Sequence, residues 1–262
     1  MDPIQAIILG FIQGATEWLP ISSTGHLRIT EQILGLTLPL LFDVVLHAGT
    51  LVIVLLFFRK DIKAILSALA KGDFKSENGK LILLIIVGTV PTALIGVALS
   101  NIIETFFSSF LTIALAFITC GFMLYLSKTG QEKKDVTYML ALAIGTAQGL
   151  ALVPGLSRSG LTIATALLLG VRREKAFKFS FLLSVPAIIG ALGLTLYKQH
   201  EALMLVGVGW VDILAGIAMS LVVSYFALRL LWKVMADKKF YLFAFYCWLI
   251  GAILLALSLG NF

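Results

Sequence analysis

Val153-Pro154-Gly155-Leu156-Ser157-Arg158-Ser159-Gly160-Leu161-Thr162, "VPGLSRSGLT", sets an arginine and three hydroxyls between two apolar runs, 138–152 and 159–170. Neither run reaches the roughly 20 residues that a helix needs to cross a ~30 Å hydrocarbon core. Fifteen residues rise only about 22 Å. A helix that stops partway, turns at Pro154 and restarts predicts a re-entrant pair. Irregular backbone at membrane depth is tolerated only where protein or water surrounds it. The runs 4–18 and 23–34 read the same way, with Pro20 as the stop and Pro20–Leu27, "PISSTGHL", as the turn.

The rest of the chain fits a membrane setting. It is 60% hydrophobic and 13% charged, whereas soluble domains lie near half and a quarter. Six further blocks are long enough to span: roughly 40–58, 81–99, 110–126, 179–197, 210–231 and 240–259. A barrel would show short alternating segments instead. The expected fold is all-α and polytopic, a single domain over 1–262 with six transmembrane helices and two re-entrant helix-loop-helix pairs. Met1-Asp2-Pro3 lacks a basic n-region and a cleavage site, so no removable signal is expected. Cys120 and Cys247 lie in separate apolar runs without metal spacing and read as packing residues. Pro91 and Pro186 read as helix kinks.

A shift of 135 residues overlays the two short pairs. Gly10, Gln13 and Gly14 fall on Gly145, Gln148 and Gly149; Ser22, Thr24 and Gly25 fall on Ser157, Ser159 and Gly160; Leu34-Gly35 falls on Leu169-Gly170. Each half, 1–126 and 136–262, is then one re-entrant pair and three spans. Three crossings reverse direction, which predicts an inverted-topology repeat with its broken-helix loops meeting near the midplane. With the first pair entering from outside, 17 of the 20 Lys and Arg fall in the four cytoplasmic loops. Only Lys198 stays outside, while Arg28 and Arg158 belong to the re-entrant pairs. This is the positive-inside pattern; it accounts for the +6 net charge without nucleic acid. Loop 59–80 reads as a solvated cytoplasmic connection, Asp212 as a span end facing water, and His200 as an outer-loop residue without a role.

Glu17 follows Gln13 by four residues, on one helical face. A carboxylate this deep costs several kcal/mol unless paired or hydrated, and such residues are functional candidates. The competing reading is a protonated side chain bonded to backbone. Ser22 or Ser23 can cap the next helix. His26, three residues after Ser23, could act with it in nucleophilic or acid–base chemistry, or be structural. Ser157 or Ser159 caps the helix 159–170, whose free N–H groups favour an anion. Arg158 adds a fork matched to phosphate oxygens; alternatively it only ties the two loops together through Glu17. Asp43 and His47 share a face of the first full span, either supporting the site or lining the packing.

At these residues the chain resembles the bacitracin-resistance type of undecaprenyl-diphosphate phosphatase. That family carries [Glu/Gln]-x-x-x-Glu, matched by Gln13 to Glu17, and Pro-Gly-x-Ser-Arg-Ser-x-x-Thr, matched by Pro154 to Thr162. A histidine follows the first motif, matched by His26. The resemblance implies a hydrolase that takes the terminal phosphate from a C55 polyprenyl diphosphate and recycles the carrier for cell-wall polymers. Glu17, His26, Ser23 and Arg158 are then the expected catalytic set; Gln13, Ser22, Thr24, Ser157, Ser159, Gly160 and Thr162 are the expected substrate contacts. It also implies a divalent cation, Mg²⁺ or Ca²⁺, with Glu17 as a ligand. With Gln at position 13, this motif alone cannot supply two carboxylates. Expected partners are the lipid diphosphate, membrane lipid, bacitracin as a competitor for that substrate, and a second copy of the chain as a homodimer. The expected location is the cell membrane, with the site opening outward. The nucleophile stays open between His26, Ser23 and water. A transporter or flippase of a lipid phosphate is the rival class, since half-helices meeting at the midplane also build transporters. An intramembrane protease fits poorly, because an anion nest suits no neutral amide.

Overall fold

The computed structural model describes residues 1–107, 109–205 and 209–259, with side chains except at 40, 100–107 and 198–205. Lys198 and His200 therefore lie outside the described side chains. Helices come in the order α1 (Pro3–Trp18), α2 (Ser23–Ile33), α3 (Leu40–Phe57), α4 (Arg59–Ala70), α5 (Glu77–Phe107), α6 (Phe110–Leu126), α7 (Tyr138–Leu150), α8 (Arg158–Leu168), α9 (Arg173–Leu205), α10 (Trp210–Ala236) and α11 (Phe243–Leu259). The protein is an all-α polytopic membrane protein. α5, α6, α9, α10 and α11 are each long and apolar enough to cross a bilayer, and α3 with its bent continuation α4 is a sixth candidate. The short pairs are α1 with α2 and α7 with α8, as expected. Pro91 and Pro186 lie inside α5 and α9.

Two expectations need correction. Residues 59–70 are not an open loop but α4, which leaves α3 at 80°. Ile62 and Ile65 pack on the core, Lys60 and Lys63 are exposed, and so are Leu66 and Leu69. A helix with one apolar and one basic side, turned across the span, suits the membrane interface. Asp212 does not face water. It is buried in the first turn of α10, where its carboxylate accepts from the Gly209 N–H at 3.2 Å, satisfying a free helix-end donor.

Apolar side chains gain little from leaving lipid for one another, so close packing of small residues does much of the holding. α1 crosses α10 where Gly10 meets Gly216, so closely that a Cβ on Gly10 would fall 2.2 Å from the Gly216 carbonyl oxygen. α7 crosses α5 in the same manner: a Cβ on Gly145 would fall 1.9 Å from the Gly88 oxygen. Gly10 and Gly145 are equivalent under the 135-residue shift. The first short helix of each half thus leans on a long span of the other half, and α3 packs on α9 as α6 packs on α11. The free thiols of Cys120 and Cys247 meet across α6 and α11, where both are buried. Cys247 Sγ also donates to the Pro20 carbonyl at 3.5 Å, tying α11 to the first turn.

The loops grouped on one side by their positive charge are joined in space. Lys178 pairs with Asp61, Lys175 with Glu77, Arg172 with Asp135 and Arg173 with Glu132. Lys134 bridges to Val171, and Lys128 lies 5.9 Å from the Tyr241 ring centroid. The exposed pairs add little stability; their value is in fixing the span count. A recess of about 670 Å³ opens between them, beside Lys80, Asp135 and Arg172, away from both re-entrant turns.

The helix crossing gives a test. Gly10→Ala should lower the melting temperature in detergent, because overpacking costs about 1–3 kcal/mol. Gly190→Ala, inside α9 where a Cβ meets nothing within 4 Å among the described residues, should not lower it and should raise it slightly.

Candidate active site

The two re-entrant turns are built alike. In the first, Ser22 has φ 67°, a left-handed conformation that a non-glycine residue adopts only under constraint. Its hydroxyl accepts from the Gly25 N–H at 3.4 Å and caps α2. In the second, Gly155 has φ 95°, and a Cβ there would fall 2.6 Å from the Ile113 oxygen. Ser157, the equivalent of Ser22, accepts from the Gly160 N–H at 3.1 Å and caps α8. The first residues of the two restarted helices are Ser23 and Arg158, which are also equivalent under the shift.

These two residues converge on one carboxylate. Arg158 Nη2 lies 2.5 Å from Glu17 Oε1, and Ser23 Oγ donates to Glu17 Oε2 at 2.6 Å. Gln13 Nε2 donates to the same Oε2 at 3.1 Å, and His47 Nε2 lies 3.1 Å from it. Glu17 thus gathers partners from α1, α2, α3 and α8 while only 7% exposed. It stands in the last turn of α1 and Arg158 in the first turn of α8. Each is at the end of its helix that disfavours its charge, so their mutual contact offsets both placements.

His47, which the sequence leaves between supporting the site and lining the packing, touches Glu17 directly. Its Nδ1 lies 2.7 Å from the Asp43 carbonyl, an acceptor only. With a carboxylate at Nε2, both ring nitrogens face acceptors, and the doubly protonated ring satisfies both. Arg28 Nη1 donates to Glu31 at 2.6 Å and Nη2 to Asp43 at 2.8 Å, joining α2 to α3 behind that ring. The four-residue spacing of Asp43 and His47 was visible in sequence; their rotation toward Glu17 comes from the packing of α1, α3 and α10.

The remaining candidates divide. Ser159 Oγ donates to the Leu19 carbonyl at 3.3 Å, linking turn to turn, and lies 3.2 Å from Ser157 Oγ. Thr162 donates to the Arg158 carbonyl at 2.8 Å and also meets Ser180, so it braces α8 against α9 from behind. Thr24 Oγ1 is 3.4 Å from Ser22 Oγ. The Gly160 N–H is taken by Ser157. His26 does not face Ser23: its Nδ1 lies 2.7 Å from the Ser22 carbonyl and its Nε2 2.7 Å from Tyr246 Oη. A base for Ser23 is instead Glu17. Arg158 Nη1 is buried without a hydrogen-bond partner among the described residues, and its guanidinium carbon sits 5.0 Å from the Trp18 ring centroid. A preorganised donor with a spare nitrogen suits an incoming anion.

A family model described as bacitracin resistance protein BacA matches residues 6–253. The chain belongs to this family. The chain is 42% identical to the undecaprenyl-diphosphatase of Carboxydothermus hydrogenoformans, over 98% of this chain and 98% of that one. It is 40% identical to the undecaprenyl-diphosphatase of Halothermothrix orenii, over 98% and 99%, and 42% identical to that of Desulfosudis oleivorans, over 97% and 98%.

The dication expected from the resemblance meets an unsuitable donor set. Hard dications take about six or more oxygens. Both Glu17 oxygens are already engaged, Gln13 offers one neutral oxygen, and the Arg158 guanidinium is at bonding distance. No group of three or more His, Cys, Asp or Glu fit to hold a metal ion occurs among the described residues. As arranged here, these side chains do not fit a resident Mg²⁺ or Ca²⁺.

The convergence on Glu17 predicts coupling. Glu17→Gln leaves Arg158 and His47 buried without their counter-charge and should cost about 3–5 kcal/mol of stability. Adding Arg158→Gln should recover part of that loss; a double-mutant cycle on chemical or thermal unfolding reads it.

Proposed function

We propose that the protein hydrolyses undecaprenyl diphosphate to the monophosphate and inorganic phosphate, as the names of its BacA-family relatives state of them. The observation that carries this reading is Arg158: one nitrogen on Glu17, another buried and without a partner among the described residues, at the start of α8. A diphosphate entering between the turns would take up that nitrogen and the surplus positive charge of Arg158 and His47 over Glu17. Preorganised charge of this kind is often the largest catalytic term in phosphoryl transfer.

The geometry supports Ser23 as nucleophile. Its Oγ attacks the terminal phosphorus, the anhydride P–O bond breaks, and the lipid monophosphate leaves. The Ser23 proton passes to Glu17 Oε2, its hydrogen-bond partner. While held by two cations Glu17 is a weak base. Substrate oxygens compete for those cations and so strengthen it at the moment it is needed. Water then cleaves the phosphoserine; Ser23 recovers its proton from Glu17, and the proton lost by water goes to His26. No step is routed through a metal ion. Gln13 orients Glu17. Ser22, Ser157, Ser159, Gly160 and Thr162 hold the turns in register, and Thr24 is the hydroxyl beside the first cap.

The tail would lie in lipid, with the pocket reached from the outer face; the clustering of basic loops on the opposite side supports that orientation. Competition by bacitracin for the lipid diphosphate, a second copy of the chain as partner, and use of the released carrier in cell-wall synthesis belong to the same proposal. A flippase has no evident use for the Ser23–Glu17 contact.

Purified protein should release phosphate from undecaprenyl diphosphate in detergent. Ser23→Ala should lower turnover by about 10³-fold or more, and Arg158→Lys by about 10²–10³-fold, as for loss of one preorganised donor, with little change in melting temperature. Near-normal turnover by Ser23→Ala would exclude the serine; near-normal turnover by Arg158→Lys would make the arginine structural.

A further inference from the structure

We propose that Tyr246 is a catalytic residue of the second step, relaying the proton of the attacking water to His26. The inference rests on the hydrolase reading and adds a group from α11 that neither sequence motif contains.

The imidazole fixes its own protonation. His26 Nδ1 lies 2.7 Å from the Ser22 carbonyl oxygen, which can only accept, so Nδ1 carries a hydrogen. Nε2 lies 2.7 Å from Tyr246 Oη. Neither ring nitrogen has a carboxylate partner among the described residues, whereas His47 Nε2 has Glu17, so burial favours the neutral ring. Nε2 then holds a lone pair, and the tyrosine hydroxyl donates to it. The rings stack at 14° with centroids 5.7 Å apart, and the Phe117 ring stands edge-on at 5.4 Å. Among the described residues the groups facing the imidazole are thus Ser22, the cap of its own helix, Phe117 from α6 and Tyr246 from α11; of these Tyr246 titrates.

This arrangement puts a hydroxyl where a direct base would need open space. A water cannot reach Nε2 without displacing Tyr246. Tyr246 is itself only partly enclosed, 38% exposed, and its oxygen keeps lone pairs after donating to Nε2, so Oη is the atom of this pair left to accept from a water. As water attacks phosphorus, its proton moves to Tyr246 Oη while the tyrosine proton moves to Nε2. The Ser23 Oγ–P bond breaks and inorganic phosphate forms. His26 is left as the imidazolium and releases its proton to solvent by the reverse path once phosphate departs. Tyr246 ends unchanged.

The test is turnover of undecaprenyl diphosphate by full-length Tyr246→Phe in detergent, with kcat, KM and a proton inventory in mixed H₂O/D₂O. Loss of an acid–base group costs about 10²-fold at the low end. The expected result is a kcat about 10²-fold lower, KM within twofold, an unchanged melting temperature, and an inventory that passes from curved to linear as two moving protons become one. In a His26→Gln background, Tyr246→Phe should have no further effect on kcat. A Tyr246→Phe kcat within twofold of the parent overturns the relay, as does an additive loss in the His26→Gln background. Should Tyr246→Phe fold poorly, the inventory of the unaltered protein decides: a linear one overturns the relay. Absence of phosphate release by the unaltered protein overturns the hydrolase reading itself, and the relay with it.

Discussion

Glu17 is a carboxylate held in a membrane interior by Arg158 and His47, from two other helices. Burying such a charge alone would cost several kcal/mol, so the fold around it must deliver its partners to within hydrogen-bond distance. That demand explains much of the architecture. A continuous span would carry Arg158 through the bilayer with its neighbours. A helix that stops and restarts brings the start of α8 to the end of α1 at depth. The glycine crossings of α1 on α10 and α7 on α5 set where those ends lie. The capped turns at Ser22 and Ser157 satisfy backbone groups that lipid could not.

The repeat supplies the meeting point, and divergence supplies the chemistry. Ser23 and Arg158 hold equivalent positions, so a near-symmetric contact brings both to one carboxylate. Glu17 is matched in the second half by Leu152, and His26 by Leu161. Gln13 supports Glu17, while its counterpart Gln148 donates to Thr92 and to the Leu183 carbonyl, a purely packing role. In the proposed mechanism one half keeps the acid–base groups and the other the anion fork, so that neither turn alone could hold a diphosphate and attack it.

Much of this was legible in the chain. Span lengths, both interrupted pairs and the repeat follow from hydropathy and from the prolines at 20 and 154, because the bilayer imposes a fixed length on every crossing. The meeting of Glu17 and Arg158 follows from the repeat. The contacts that escaped reading depend on rotation and side-chain direction. His47 reaches Glu17 because α3 turns that face toward α1, a matter of tertiary packing. His26 leaves Ser23 because its Nδ1 takes the Ser22 carbonyl four residues back and its Nε2 the Tyr246 hydroxyl, a partner from a distant helix that no local spacing announces. In α4, Ile62, Ile65, Leu66 and Leu69 carry a helical period, but the mixed charge, Gly and Asn of 59–80 read as a loop. Asp212 looked exposed at a span end, yet capping a helix in lipid draws the carboxylate inward.

The central claim is that substrate phosphate takes over cations that Glu17 holds at rest. Protein with ¹³C-labelled glutamate and ¹⁵N-labelled arginine, titrated with a polyprenyl methylene-bisphosphonate that cannot be hydrolysed, reports this directly by NMR. The account predicts that the Glu17 carboxyl and Arg158 guanidinium resonances shift together and saturate with the ligand. A bound ligand that leaves both resonances where they were would contradict it.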